Sequence, residues 1–172
     1  LAGMYGINYT SKILAIGQMT ALVIAAVWGL KTAGWENIMN LPPSYFQFAP
    51  PQHYSTILVW MYAFINNAFL AQAAIQIVMS CKTIDEGKRG IKWMLIAFVP
   101  TTLLSVLIGM SAKTLYPTIK GILAAPAMAA NIPSVFLSTL VVLGLYFAAL
   151  GWGAPLVLSG GTCLANDVYG YF

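Results

Sequence analysis

Between Gln76 and Gly90 the chain reads QIVMSCKTIDEGKRG, a tight group of charge set between two long apolar stretches. Lys82, Asp85, Glu86, Lys88 and Arg89 fall within it, five of the twelve Asp, Glu, Lys and Arg residues in the chain. Short cation-rich loops between membrane spans tend to stay on the cytoplasmic side. In so apolar a chain this stretch therefore fixes both the turn between two helices and the side it faces.

The composition sets the class. Of 172 residues, 60% are hydrophobic and 7% are charged, against roughly 25% charged in a soluble domain. A chain with so little charge lacks the surface to stay dissolved, so we expect an integral membrane protein, placed in the plasma (cell inner) membrane. Residues 1–172 are expected to form a single transmembrane helical segment, since no low-complexity linker or repeat divides them. The net charge of +4 is small, and its cations sit at segment ends, where they act as topology signals rather than a nucleic-acid footprint. Cys81 and Cys163 show no CxxC spacing and are read as two inert thiols in apolar surroundings. The chain opens on Leu1, and we expect it to be part of a longer protein.

The expected fold is all-α, with about four transmembrane helices. Three apolar segments, Ile13–Leu30, Thr56–Met79 and Ile91–Ala112, approach the ~20 residues needed to cross a ~30 Å hydrocarbon core. A fourth runs from Pro133 through Trp152 toward Val168. Backbone groups in lipid must satisfy one another, which leaves helices as the assignment for all four. The stretch Ile119–Ile132 is short and carries Pro126; it is expected as a surface or re-entrant piece. Trp28, Trp60 and Trp93 fall near segment ends, as an aromatic belt requires. Pro42, Pro43, Pro50 and Pro51 make the Lys31–Ser55 loop non-helical over much of its length. With loop 82–92 cytoplasmic, the loops Lys31–Ser55 and Lys113–Pro133 face outside and both chain ends face inside.

Several short stretches then become specific. The second segment carries Gln72-Ala73-Ala74-Ile75-Gln76, followed by Lys82, an acidic turn and Lys88-Arg89-Gly90. The third ends Ile108-Gly109-Met110, with Leu115-Tyr116-Pro117 close behind, and the fourth reads GLYFAA from Gly144 and NDVY from Asn166. With Gly34-Trp35 opening the first outer loop, this order resembles the sodium:solute symporter family, whose members carry proline, pantothenate and sugars. The resemblance implies the middle part of an inverted-repeat, broken-helix transporter fold. It also implies a small-molecule solute, Na⁺ as the coupling ion, and further transporter helices or partner membrane subunits beside the lipid bilayer. The family's Asp-x-Tyr is cytoplasmic, and four spans with loop 82–92 inside put Asp167 on that side.

Asn66, Asn67, Gln72 and Gln76 are the candidate substrate-path residues. Amides within a span are costly unless hydrogen-bonded, so they mark either a polar path or bridges between neighbouring helices. Gln72 and Gln76 match a Gln pair of the sugar-cotransporter branch, with Ala73 standing where that branch has a gating aromatic. Ala149, Trp152 and Gly153 match the family's sodium site, but Trp152 and Gly153 replace its two adjacent hydroxyl residues. Since Na⁺ is a hard cation that takes oxygen ligands, a substitute is sought in the Gly151 carbonyl, freed by Pro155, together with Ser159 or Thr162. The alternative is a helix loosened by Gly151, Gly153 and Pro155.

The remaining features carry less. Gly121, Ala125 and Ala129 recur every four residues, which composition alone explains. Ser138 and Thr139 are expected to bond to their own helix, and Asp167 to cap a helix end. One His and no clustered acids give a metal centre little support. No Walker loop, dinucleotide Gly pattern or nucleophile elbow is present, so the protein is not expected to be an enzyme. A non-transporting subunit or sensor domain on the same scaffold is the alternative function.

Overall fold

The computed structural model describes residues 3–47, 49–70 and 81–171. Among these residues every regular element is helical. Helix α1 runs Gly3–Ala33, α2 Trp35–Met39, α3 Tyr54–Leu70, α4 Ile84–Leu115, α5 Ala124–Ala130 and α6 Val135–Cys163. Helix α6 continues into a π-helical turn, Leu164–Val168, and a final 3₁₀ turn, Tyr169–Tyr171.

Three of the described helices are long and apolar enough to cross a membrane: Tyr9–Ala33, Ile84–Leu115 and Val135–Val168. The protein is thus an all-helical, membrane-type chain. The expected second span begins as α3, of 17 residues, and its remainder from 71 to 79 lies outside the described residues. The stretch expected as a surface or re-entrant piece forms the 3₁₀ turn Gly121–Leu123 and the seven-residue α5.

Charge does not end a helix, and two boundaries move for that reason. Residues 84–92, expected as loop, form the first turns of α4, and among the described residues Cys81–Thr83 make the bend before it. Thr83 is the N-cap: its hydroxyl accepts from the Glu86 N–H at 3.2 Å, while the Glu86 carboxylate takes the Lys82 N–H at 3.1 Å. The first bond satisfies one of the donors that a helix start leaves over, and the second ties down the N–H of the residue before the cap. Helix α1 likewise begins ten residues before Ile13. Its end is abrupt: Gly34 has φ +78°, the left-handed region, and turns the chain into α2. In the following loop Pro43 and Pro51 each start a 3₁₀ turn, a position where proline's missing N–H costs nothing.

The spans pack in a definite order. A Cβ built at Gly17 would meet the Phe147 ring, and one at Gly144 would meet Ala21. Residue numbers fall along α6 as they rise along α1, so the two are antiparallel at close approach. Helix α4 runs parallel to α1 with a separation of 82 residues: Thr101 Oγ1 lies 3.1 Å from Met19 Sδ, and Gly29 lies against Ser111. The starts of α1 and α4 and the end of α6 therefore share one end of the bundle, which places Asp167 at the same end as the charged turn.

The core sits at the opposite end. Ala25 and Ala26 of α1, Ile108 and Ala112 of α4, Met128 and Ala129 of α5, and Val141 of α6 are all buried against one another. Small residues on the long helices let the backbones approach, since packing rather than water exclusion drives association in lipid. Met128, fully buried, fills the space between them. Ala125 and Ala129 thus do pack at a helix contact, though Gly121 is exposed. Trp28 packs against this core instead of a belt, whereas Trp60 and Trp93 are exposed.

Candidate functional site

The amides expected along the solute path divide. Asn66, half-buried on α3, donates its Nδ2 to the Tyr62 carbonyl at 3.0 Å, a bond within its own helix. Asn67 is exposed one position on. Gln72 and Gln76 lie outside the described residues. The described part of α3 presents Leu58, Val59, Trp60, Met61, Tyr62, Phe64 and Ile65 as exposed side chains. Its one ring contact is Trp60 with Phe64, centroids 5.9 Å apart, also within the helix.

The sodium-site positions fall on the second half of α6. Ala149 is exposed, Trp152 is 60% exposed and Gly153 is half-buried. No atom lies within 4 Å of a Cβ built at Gly151 or Gly153, so this face of α6 is open. The three positions supply only main-chain oxygens, and the pair of hydroxyls the resemblance calls for is not present in the sequence. These residues do not fit the expected site.

The proposed substitute also separates. Helix α6 runs unbroken from Val135 to Cys163 through Pro155. At 1.5 Å rise per residue, the Gly151 carbonyl stands about 12 Å along the axis from Ser159 and about 16 Å from Thr162. A single cation cannot bind across either gap. Thr162 Oγ1 instead donates to the Leu158 carbonyl at 2.8 Å. Among the described residues no group of three His, Cys, Asp or Glu side chains is assembled for a metal ion.

Two polar groups that the sequence reading passed over stand out. Gln18 is half-buried in α1 and lines a cavity of about 30 Å³ between α1, α4, α5 and α6, whose other lining residues are apolar. That volume is of the order of a single water, far below the several hundred cubic ångströms of a small-molecule site. Ser111 on α4 is fully buried and its Oγ has no hydrogen-bond partner. The signal for Gln18 was its amide inside the apolar Ile13–Leu30 run. Ser111 gave no such signal, because a helical serine ordinarily bonds back to its own helix.

That ordinary pattern holds elsewhere. Thr101, Thr102 and Ser105 of α4 each donate to the carbonyl four residues back, at 2.8–2.9 Å. They flank Pro100, which removes one N–H from the helix, and they keep their own hydroxyls satisfied at membrane depth. Ser138, however, does not bond to its own helix: its Oγ donates to the Ala129 carbonyl at 2.8 Å and ties α6 to the end of α5. Thr139 does bond within α6, to Val135. Comparison with known proteins adds nothing to this geometry: no family model, curated protein or solved structure matches the chain.

Proposed function

We propose that the chain is a segment of a secondary active transporter for a small solute, not an enzyme, acting together with further helices of the protein or with partner membrane subunits. The observation that carries the reading is α6. It pairs closely with α1 through Gly144, yet leaves an open face at Gly151 and Gly153 next to a proline that frees a carbonyl. Inverted-repeat transporters build their binding sites around main-chain carbonyls left without helical partners, and Pro155 leaves the Gly151 carbonyl so within an otherwise continuous α6. The motif order from Gln72 to Tyr169 supports the same assignment, and with it a cytoplasmic placement for Lys82–Lys92 in the cell's inner membrane. Asn66, Asn67, Gln72 and Gln76 line or brace the path.

The coupling ion implied by the resemblance is Na⁺. Ala149, Trp152 and Gly153 do not provide its hydroxyl ligands, so no step is assigned to them. That loss, with Ala73 in place of the gating aromatic, is what favours the second reading, a non-transporting subunit or sensor domain on the same scaffold. Solute uptake by the full-length protein, with and without sodium, separates the two. Sodium-stimulated uptake supports symport; uptake indifferent to sodium removes sodium coupling, and no uptake of amino acids, carboxylates or sugars favours the non-transporting reading. Gly153→Ser is the informative variant, because the open space around Gly153 accepts a Cβ without clash. New or stronger sodium dependence in that variant would tie this position to the ion.

A further inference from the structure

We infer that the charged start of α4 holds the headgroup of an anionic phospholipid, with Arg89, Lys92 and Trp93 as its contacts. Six charged side chains crowd this stretch of the chain, and three of them, Asp85, Glu86 and Lys88, are already engaged, while Lys82 lies before the helix itself. Glu86 caps Lys82 through its backbone N–H, and Lys88 pairs with Asp85 at 3.9 Å. Arg89 and Lys92 form no ion pair among the described residues, and both are exposed.

The helix places these two cations side by side. Residues three and four apart are neighbours on a helix surface, so Arg89 touches the same patch as Lys92 and Trp93. Trp93 is 64% exposed, and an exposed tryptophan at the edge of a span sits at headgroup depth. Below it the same strip continues with Ile96, Val99 and Leu103, all exposed. A cationic pair, an aromatic ring and an apolar strip follow one another in the order of a phospholipid's phosphate, glycerol region and acyl chain. At 100° per residue this strip is turned by roughly 150° from the α4 face that carries Thr101, Ile108 and Ala112 toward α1. It is therefore free of the described bundle. Arg supplies a planar fork of donors suited to phosphate, and Lys a second point charge.

Charge complementarity selects the lipid. A zwitterionic headgroup brings its own cation next to Arg89 and Lys92, whereas an anionic one does not. Each basic side chain near an anionic surface adds to the attraction.

The test uses the full-length protein in nanodiscs containing dibrominated phosphatidylglycerol or dibrominated phosphatidylcholine at equal bromine content. The Trp93 contribution is the fluorescence difference between the parent and Trp93→Phe. We expect that contribution to be quenched at least about threefold more by the anionic lipid, given the attraction per basic residue. The preference should vanish in Arg89→Gln/Lys92→Gln and survive in Arg89→Lys/Lys92→Arg, with unchanged helicity in both. Equal quenching by the two lipids would overturn the inference, as bulk lipid contact alone. Absence of quenching by either would show the strip covered by protein. Loss of the preference on adding inorganic phosphate would assign the pair to soluble anions instead.

Discussion

A Cβ added at Gly144 would run into the Cβ of Ala21, with the Gly17 carbonyl oxygen at 3.2 Å. The atoms in the way are a methyl fixed to the backbone and the backbone itself, so no side-chain rotation relieves the contact. Gly144→Leu should therefore push α6 off α1 and cost about 1–3 kcal/mol, the range for overpacking. Thermal unfolding in detergent measures the loss. Gly153→Leu, where the added group meets nothing, is the control and should change stability little.

Ser111 predicts the opposite sign. Its hydroxyl is buried without a partner, a state that costs free energy in an apolar interior. Ser111→Ala removes the hydroxyl and keeps the Cβ that packs near Gly29. The variant should be neutral or more stable by up to about 1 kcal/mol. A clear destabilisation would mean the hydroxyl has a partner after all.

Ser138 and Thr139 are adjacent in sequence and differ in consequence. Ser138 bonds across to the Ala129 carbonyl at the end of α5, which also takes the Ile132 N–H at 3.4 Å. Ser138→Ala should cost about 1 kcal/mol and loosen α5 specifically. Thr139→Ala removes only a bond within α6 and should cost less. Hydrogen exchange at Asn131 and Ile132, whose N–H groups bond back into α5, distinguishes a local from a global effect.

Thr83→Ala tests whether the charged stretch is truly the start of a helix. Loss of the N-cap hydroxyl costs ~1 kcal/mol in typical helices, and the damage should be confined to the first turns of α4. Amide exchange should quicken at Glu86 and Gly87, with no change near Ile108. Thr83→Ser, which keeps the hydroxyl, should behave as the parent.

Much of the architecture was legible because hydropathy alone marks a span. Ile13–Leu30 and Ile91–Ala112 both lie inside observed helices. Their ends were not, because lipid dictates only the apolar part, while capping dictates where the helix starts. The Thr83–Glu86 pair follows the capping-box spacing and was the sign that QIVMSCKTIDEGKRG turns helical partway through. The role of Ala125 and Ala129 depended on Met128 being the plug between three helices, a tertiary fact that composition does not contain. The candidate site fared differently. Asn66 proved to be bonded within its own helix, and Gly151 and Ser159 proved too far apart to share an ion. The second outcome turns on α6 continuing through Pro155, where the sequence allowed a break.

Ile38, Met128, Val141 and Ser111, the largest fully enclosed side chains, all belong to the end of the bundle that α5 closes. From Lys88 to Pro100 every side chain of α4 is exposed. The assembly resembles a pair of tongs jointed around Met128, in which α1 and α6 stay in contact at Gly17 and Phe147 while the α4 arm stands clear before Thr101. Between Ile108 and Ile84 the α4 arm is about 36 Å long, so a tilt of roughly 5° at the joint moves the charged tip by about 3 Å, with the dimensions of the helix supplying the leverage. A small rearrangement of packing near Met128 would thereby become an ångström-scale displacement at the end of α4 that carries Arg89.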